Sequence, residues 1–216
     1  MASLSTQQSA RRQSGFQARR ERQRSEARSA ILAAAEALLL EKGGPEFSMR
    51  SLGRRCGYSA PTVYHYFGDK DGLIDALLEA RMSRLADRLD GVPRGRDPGA
   101  ELRDLFVAFV EFGAVNPSFS RLMQSVSSKG ESHSAPAMER VRERVRVPLQ
   151  ELVESGRLGD LDAEAAGQML WALLHGLMWL PVLEPEVPWV SDLPGRAFSS
   201  LLRGMSASAA PLESPR

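Results

Sequence analysis

The sequence lacks the features that mark secreted and membrane proteins. Its single cysteine, Cys56, excludes a disulfide bond within the chain, which fits a reducing compartment. No run of about 18 or more apolar residues occurs, so no transmembrane helix is expected. The N-terminus has no apolar core of a signal peptide. We therefore expect a cytoplasmic protein in which Cys56 is a small buried core residue.

Signatures of catalysis and metal binding are also missing. No glycine-rich phosphate loop precedes a helix, and no nucleophile elbow is present. The three histidines, His65, His133 and His175, are far apart and do not have metal-ligand spacing. We predict no cofactor, no metal site and no enzymatic activity, although a Ser-His-acid site assembled by folding remains an alternative.

Charge is distributed unevenly along a chain whose formal net charge is only +1. Residues 1–70 contain 12 Lys and Arg against 6 Asp and Glu, so this part carries +6 and the remainder carries −5. A basic segment followed by an acidic one indicates that only the first faces a polyanion. Residues 1–24 are rich in Gln, Ser and Arg, and we interpret them as a disordered basic extension. This extension is either an arm that binds DNA phosphates or a solubilising tail.

The segment from Ser48 to Phe67 predicts a helix-turn-helix. Ser48 is a candidate N-cap of a short helix over residues 49–56, whose apolar side chains share one face. Gly57 supplies the tight turn, and a second short helix runs from about Ala60 to Phe67. In such motifs the second helix enters the DNA major groove. Its outward side carries polar and aromatic residues, while its inward side carries Val63 and Phe67.

The block FSMRSLGRRCGYSAPTVYHYFGDKDGLIDALL, residues 47–78, resembles the DNA-binding domain of TetR-type transcriptional repressors. Residues 30–43 are similar to the first helix of that family. The sequence departs from the family pattern at Gly53 and Cys56, where the family usually has Ala, and at Tyr58, where it usually has Val. Because Gly inside a helix costs about 1 kcal/mol, Gly53 is expected to affect local stability.

The motif and the resemblance together predict the DNA contacts. Lys70, at the start of the next helix, is expected to bind a phosphate. His65 is expected to contact either a base edge or a phosphate, and Tyr64 to hold mainly the DNA backbone. The full predicted set is Arg50, Ser59, Ala60, Thr62, Tyr64, His65 and Lys70. The resemblance implies a homodimer on palindromic double-stranded DNA.

A second feature lies in the most apolar segment, residues 163–183. At about 100° per residue, Trp171, His175 and Trp179 fall on one helix face. With Gly176, this spacing resembles a TetR subgroup named WHG. We predict an effector site for a small apolar molecule, formed by Phe106, Phe109, Met123, Trp171, His175 and Trp179. The alternative is that His175 is a structural residue of the core or dimer interface.

The rest of the chain shows helical periodicity without alternating strand patterns or repeats, so the fold class is all-α. We expect a three-helix DNA-binding head, residues 25–70, then a larger helical ligand-binding and dimerisation domain, residues 71–206. Residues 207–216 are a predicted flexible tail. The dimer interface is predicted on the last two helices, with Phe198, Leu201 and Leu202 on the final one. The predicted function is a ligand-responsive repressor; the alternatives are an effector-independent DNA-binding dimer and a helical enzyme fused to a helix-turn-helix.

Overall fold

The computed structural model describes residues 2–95, 97–127 and 136–206, and within these ranges every regular element is a helix. The predicted all-α class is thereby confirmed. The predicted loop over 128–135 and the tail over 207–216 lie outside the described residues. The helices are α1 (Ala2–Lys42), α2 (Met49–Cys56), α3 (Ala60–Phe67), α4 (Lys70–Asp90), α5 (Pro98–Val115), α6 (Pro117–Ser127), α7 (Pro136–Glu154), α8 (Ala163–Leu183) and α9 (Leu193–Ser206).

The chain forms two compact units, Met1–Leu77 and Leu78–Arg216. The division falls inside α4, which is continuous across it, and not at residue 70 as the sequence suggested. In the first unit, α1 and α2 pack together and α2 packs on α3. Apolar side chains from these helices fill its core; the fully buried ones include Ile31, Ala35, Leu52 and Val63.

Helix α1 is much longer than predicted, because it begins at Ala2 and not at Ser25. The predicted disorder of residues 1–24 is therefore not what the structure shows. This stretch has no proline and is rich in Gln and Arg, which have high helix propensity. Sequence analysis missed it because an apolar stripe was taken as the sign of a helix, and residues 15–26 are all exposed.

In the second unit, α5 is the central helix and contacts α6, α7, α8 and α9. Aromatic pairs hold these contacts: the ring centroids of Phe106 and Phe198 are 5.2 Å apart, and those of Phe112 and Phe119 are also 5.2 Å apart. Phe198 is only 1% exposed. The prediction that Phe198 belongs to a dimer interface is therefore corrected, because its side chain is in the core of its own chain.

A buried ion pair ties α7 to α5. Arg144 and Glu101 pair through Nη1 and Oε1, with 4% and 9% of their side chains exposed. Nη2 of Arg144 also donates to the carbonyl oxygen of Val92, 2.9 Å away, just after α4. Removing one partner from such a pair leaves an uncompensated buried charge, so loss of Arg144 or Glu101 alone would destabilise the contact between α7 and α5. Helix α7 continues through Pro148, which is buried.

Candidate nucleic-acid interface and internal cavity

The helix-turn-helix is fixed at both ends of its first helix by local hydrogen bonds. Ser48 and Ser51 form a capping box, with each backbone N–H donating to the other side chain over 3.1 Å. Gly57 ends α2 in the left-handed conformation, with φ of 75°. A residue with a Cβ atom is strained there, so Gly57 determines the turn. The predicted N-cap and turn are both confirmed.

The turn brings two backbones into close contact at Gly53. The N–H of Tyr58 donates to the carbonyl oxygen of Gly53 at 2.9 Å. A Cβ atom on residue 53 would lie 2.6 Å from the carbonyl oxygen of Tyr58, a backbone atom that cannot move aside alone. The departure from the TetR pattern at Gly53 therefore permits a tight α2–turn approach.

Helix α3 has the two faces that the sequence predicted. Ser59 caps it by accepting from the N–H of Thr62 at 3.2 Å, and the two hydroxyl oxygens are 2.8 Å apart. Val63 and Phe67 are buried, which anchors the helix on α1 and α2. Tyr64 is 49% exposed and His65 is also exposed, so both project from the unit.

The remaining predicted DNA contacts lie around α3. Arg50 is exposed in the first turn of α2, and Ala60 is partly exposed at the start of α3. The ammonium nitrogen of Lys70 lies 5.4 Å from the centre of the Phe47 ring, a cation–π distance. Asp69 caps α4 by accepting from the N–H of Gly72 at 2.7 Å. The Asp69 carboxylate therefore already satisfies one of the backbone N–H groups at this helix end.

Cys56 was expected to be a buried core residue, but its side chain is only half-buried. Its thiol donates to the carbonyl oxygen of Leu52, with a sulfur–oxygen distance of 3.1 Å, at the end of α2.

The predicted aromatic face of α8 is present. The ring centroids of Trp171 and His175 are 3.9 Å apart, and those of His175 and Trp179 are 4.6 Å apart, both in edge contacts. Nδ1 of His175 lies 2.9 Å from the carbonyl oxygen of Trp171. Burial lowers the pKa of His175, more than this hydrogen bond raises it, so the imidazole is neutral at pH 7. In that form Nδ1 donates to the carbonyl and Nε2 is an acceptor.

A cavity of about 770 Å³ lies between α5, α7 and α8. Its wall is mainly apolar, with Leu, Val, Phe and Met side chains from the three helices. Cavities of this size and character hold small organic ligands. Within the described ranges, no three His, Cys, Asp or Glu side chains come close enough to hold a metal ion.

The cavity contains only part of the predicted ligand site. Phe106, Phe109 and Trp171 line it. The expectation that all six residues surround one cavity is corrected for Met123, His175 and Trp179, which are not in its wall. Met123 is 5% exposed and packs in the core, whereas His175 and Trp179 continue the aromatic face along α8.

Sequence analysis missed the polar edge of this cavity on α7. Arg142, Arg146, Gln150 and Glu154 line it at intervals of four residues. Gln150 accepts from Arg146 at 2.5 Å and donates to Glu154 at 2.8 Å. The spacing of four was visible in the sequence, but it is also typical of a solvated helix face.

Helix α8 exposes much of its apolar surface. Met169, Trp171, Leu180 and Leu183 are 40% to 59% exposed. The sequence analysis expected no transmembrane helix, but α8 is long and apolar enough to cross a membrane. Core helices of soluble proteins pass the same test, so length and composition are weak evidence for a membrane span. Only 22% of its most apolar window is buried in the single chain, so another surface is needed to cover it.

A helix-turn-helix on one compact unit, joined to an all-helical unit with an apolar cavity, defines a DNA-binding transcriptional regulator. Comparison with known proteins supports this class. Residues 31–77 match the family described as bacterial regulatory proteins, tetR family. The HTH-type transcriptional regulator BetI of Escherichia coli O45:K1 is 31% identical over 147 residues, covering 65% of this chain and 73% of BetI.

Solved structures show the same fold. A TetR-family regulator from Shewanella sp. PV-4 superimposes with a TM-score of 0.68 at 22% identity, covering 82% of this chain and 95% of that one. The TetR-family regulator PfmR of Thermus thermophilus gives a TM-score of 0.61 at 26% identity, covering 80% and 97%. The chain belongs to the TetR family of transcriptional regulators.

Gly53→Ala tests the close approach in the helix-turn-helix. Helix propensity alone would favour alanine by about 1 kcal/mol. The overlap with the Tyr58 carbonyl should reverse this sign and destabilise the motif by about 1–3 kcal/mol. Hydrogen exchange of the α2 amides measures the effect. Gly204→Ala, on an exposed turn of α9 with open space around its Cβ, is the control and should not destabilise the protein. A neutral or stabilising Gly53→Ala would contradict the account.

Proposed function

We propose that the protein is a ligand-responsive transcriptional repressor that binds a palindromic operator as a homodimer in the cytoplasm. Regulators of the TetR family bind DNA as dimers and bind small-molecule effectors. The observation that carries the proposal is an exposed recognition helix on one unit, together with an apolar cavity of about 770 Å³ in the other. We place the second unit in the WHG subgroup, which the contacts among Trp171, His175 and Trp179 support.

DNA binding would combine positioning and base-reading contacts. Arg50, Lys70, Tyr64 and the capped start of α3 would hold phosphates, which supply most of the sequence-independent affinity. His65 is exposed on the outward face of α3 and would reach a base edge. The partly exposed Ala60 and Thr62 would contact bases or sugar beside it.

Two alanine variants separate these roles. Lys70→Ala should weaken binding to all duplexes alike and lower the salt slope by about two per dimer. His65→Ala should change sequence preference at one position of each half-site, by about 1–3 kcal/mol. Titrations of operator variants at several salt concentrations measure both effects. An unchanged salt slope for Lys70→Ala would mean that Lys70 does not contact a phosphate. A loss of affinity that is the same for all operator variants would mean that His65 contacts the DNA backbone and not a base.

The side of α8 that exposes Met169, Leu180 and Leu183 would form the dimer interface. Leu201 and Leu202 of α9, which are half-buried in the single chain, would join it. Pairing of α8 and α9 with their symmetry mates buries both in a four-helix bundle. Because the same surface is self-complementary in a two-fold dimer, one patch is sufficient for both subunits.

Leu180→Glu combined with Leu183→Glu should give folded monomers, because charges would be buried against their symmetry mates. Sedimentation measures the association state and circular dichroism checks the helix content. Val190→Glu is the control, since Val190 is 53% exposed and lies in the loop between α8 and α9, outside both helices of the proposed patch. If the double variant stays dimeric, the interface lies elsewhere. The monomer should also lose specific DNA binding, because the affinity of one subunit for one half-site is weak.

The effector would be a small, largely apolar molecule held between α5, α7 and α8. Phe106, Phe109 and Trp171 would pack against its body. Arg142, Arg146 and Gln150 at the cavity edge would meet a polar group, because they carry the hydrogen-bond donors of that edge. Adaptable aromatic and aliphatic side chains suit an irregular apolar shape.

Helix α7 offers a route from the cavity to the DNA-binding unit. Besides lining the cavity, α7 contacts the C-terminal half of α4: Arg140 pairs with Asp87 and Asp90 at 3.0 and 2.8 Å. The first turn of α7 also donates from the N–H of Ala137 to Glu79 at 3.1 Å. Since α4 is continuous into the first unit, a ligand that displaces α7 would act on α4. The ligand can shift the equilibrium between the DNA-binding and the released conformation of the dimer only by the difference in its affinity for them.

Trp171→Ala tests the effector site. Trp171 is 47% exposed, so its loss should cost less than the about 3–5 kcal/mol of a buried tryptophan. The variant should stay folded and keep its operator. A panel of small apolar and aromatic compounds, scored by thermal shift and operator release, should contain compounds that act on wild type and not on Trp171→Ala.

Trp189→Ala is the control for this experiment, because Trp189 lies outside the cavity and donates to the Glu184 carbonyl. It should respond to the same compounds as wild type. A large fall in the melting temperature of Trp171→Ala, with an unchanged response to the compounds, would contradict the proposed effector site. It would favour the effector-independent dimer.

A further inference from the structure

The part of α1 that precedes the core has an arginine stripe where a core helix would have apolar residues. Ala27 and Ile31 are buried and mark the inward face of α1. At about 100° per residue, Arg20 and Arg24 lie on the continuation of that same face. Both are exposed. The inward face of α1 therefore changes from apolar to cationic where the helix extends beyond the core.

The stripe lies directly beside the recognition helix. Arg20 and Arg24 share a cleft of about 570 Å³ with His65 and Tyr66, near the C-terminal end of α3. One turn further along, the guanidinium carbon of Arg28 lies 5.4 Å from the centre of the Phe67 ring, which ties α1 to α3 at this point. The cleft and this contact are both within the first compact unit.

The two arginines are available to an anion. Among the residues that the structure describes, neither Arg20 nor Arg24 has a hydrogen-bonded or ion-paired carboxylate, although Glu21 borders the cleft. Gln17, one turn before Arg20, adds another donor to the same cleft. A guanidinium presents a planar fork of donors that matches the oxygens of a phosphate.

We propose that the N-terminal part of α1 is a second DNA-contacting element, in which Arg20 and Arg24 bind phosphates of duplex DNA beside the recognition helix. The inference rests on the proposed DNA binding by α3. With α3 in the major groove, a backbone strand that borders His65 passes the cleft, and its charge is opposite to that of the stripe. A solubilising tail would not require its arginines to continue the inward face of the helix.

The test compares two variants with the same change in charge. Arg20→Gln with Arg24→Gln removes the stripe, whereas Arg19→Gln with Arg22→Gln removes two exposed arginines from other faces of the same helix. Each is titrated with a duplex selected by the wild-type full chain, at several salt concentrations. The stripe variant should lower the log–log salt slope by about 3 to 4 per dimer, equally for all operator variants. The control should change it little.

Further arms keep the outcomes separate. Arg20→Lys with Arg24→Lys should retain most of the slope, because the charges remain. Equal slopes in the stripe variant and the control would overturn the proposal, while DNA binding through α3 would stand. Failure of the wild-type chain to select any duplex would instead overturn the proposed function, and the extension with it. Circular dichroism confirms that all variants are folded.

Discussion

The close approach of the α2 backbone to the turn at Gly53 is the constraint on which the DNA-binding surface depends. It sets how far α3 stands from α2, and the left-handed Gly57 sets the direction in which the chain leaves α2. With both fixed, Val63 and Phe67 reach the core and His65 is left on the outside. A wider turn would move the recognition helix as a body, and with it every contact proposed for it.

The second unit is organised around α5, and its polar interactions are concentrated on α7. The buried pair of Arg144 and Glu101 holds α7 on α5, while Arg140 holds it on α4. The same helix forms one wall of the apolar cavity. A displacement of α7 would therefore change ion pairs at the second half of α4. This is the route by which the proposed effector would act on the helix that enters the first unit.

Short-range signals made much of the fold predictable. Ser48 and Gly57 fix the two ends of α2 through local hydrogen bonds and backbone conformation, so their sequence pattern was sufficient. Features that depend on distant neighbours were not predictable. The sequence placed Phe198 on an apolar stripe of α9, but it did not show that α5 covers this side chain. The cavity wall could not be predicted because it is formed by three helices that are distant in sequence. The α1 extension was missed because it has helix propensity without an apolar face.

The most direct test of the central claim is selection of bound sequences from random duplex DNA by the full-length chain. The proposed dimer predicts enrichment of an inverted repeat, whose half-sites are centred about one helical turn, or a multiple of it, apart. The His65→Ala variant should select a repeat altered at one position in each half. Enrichment of no sequence, or of a single unrepeated site, would contradict the account.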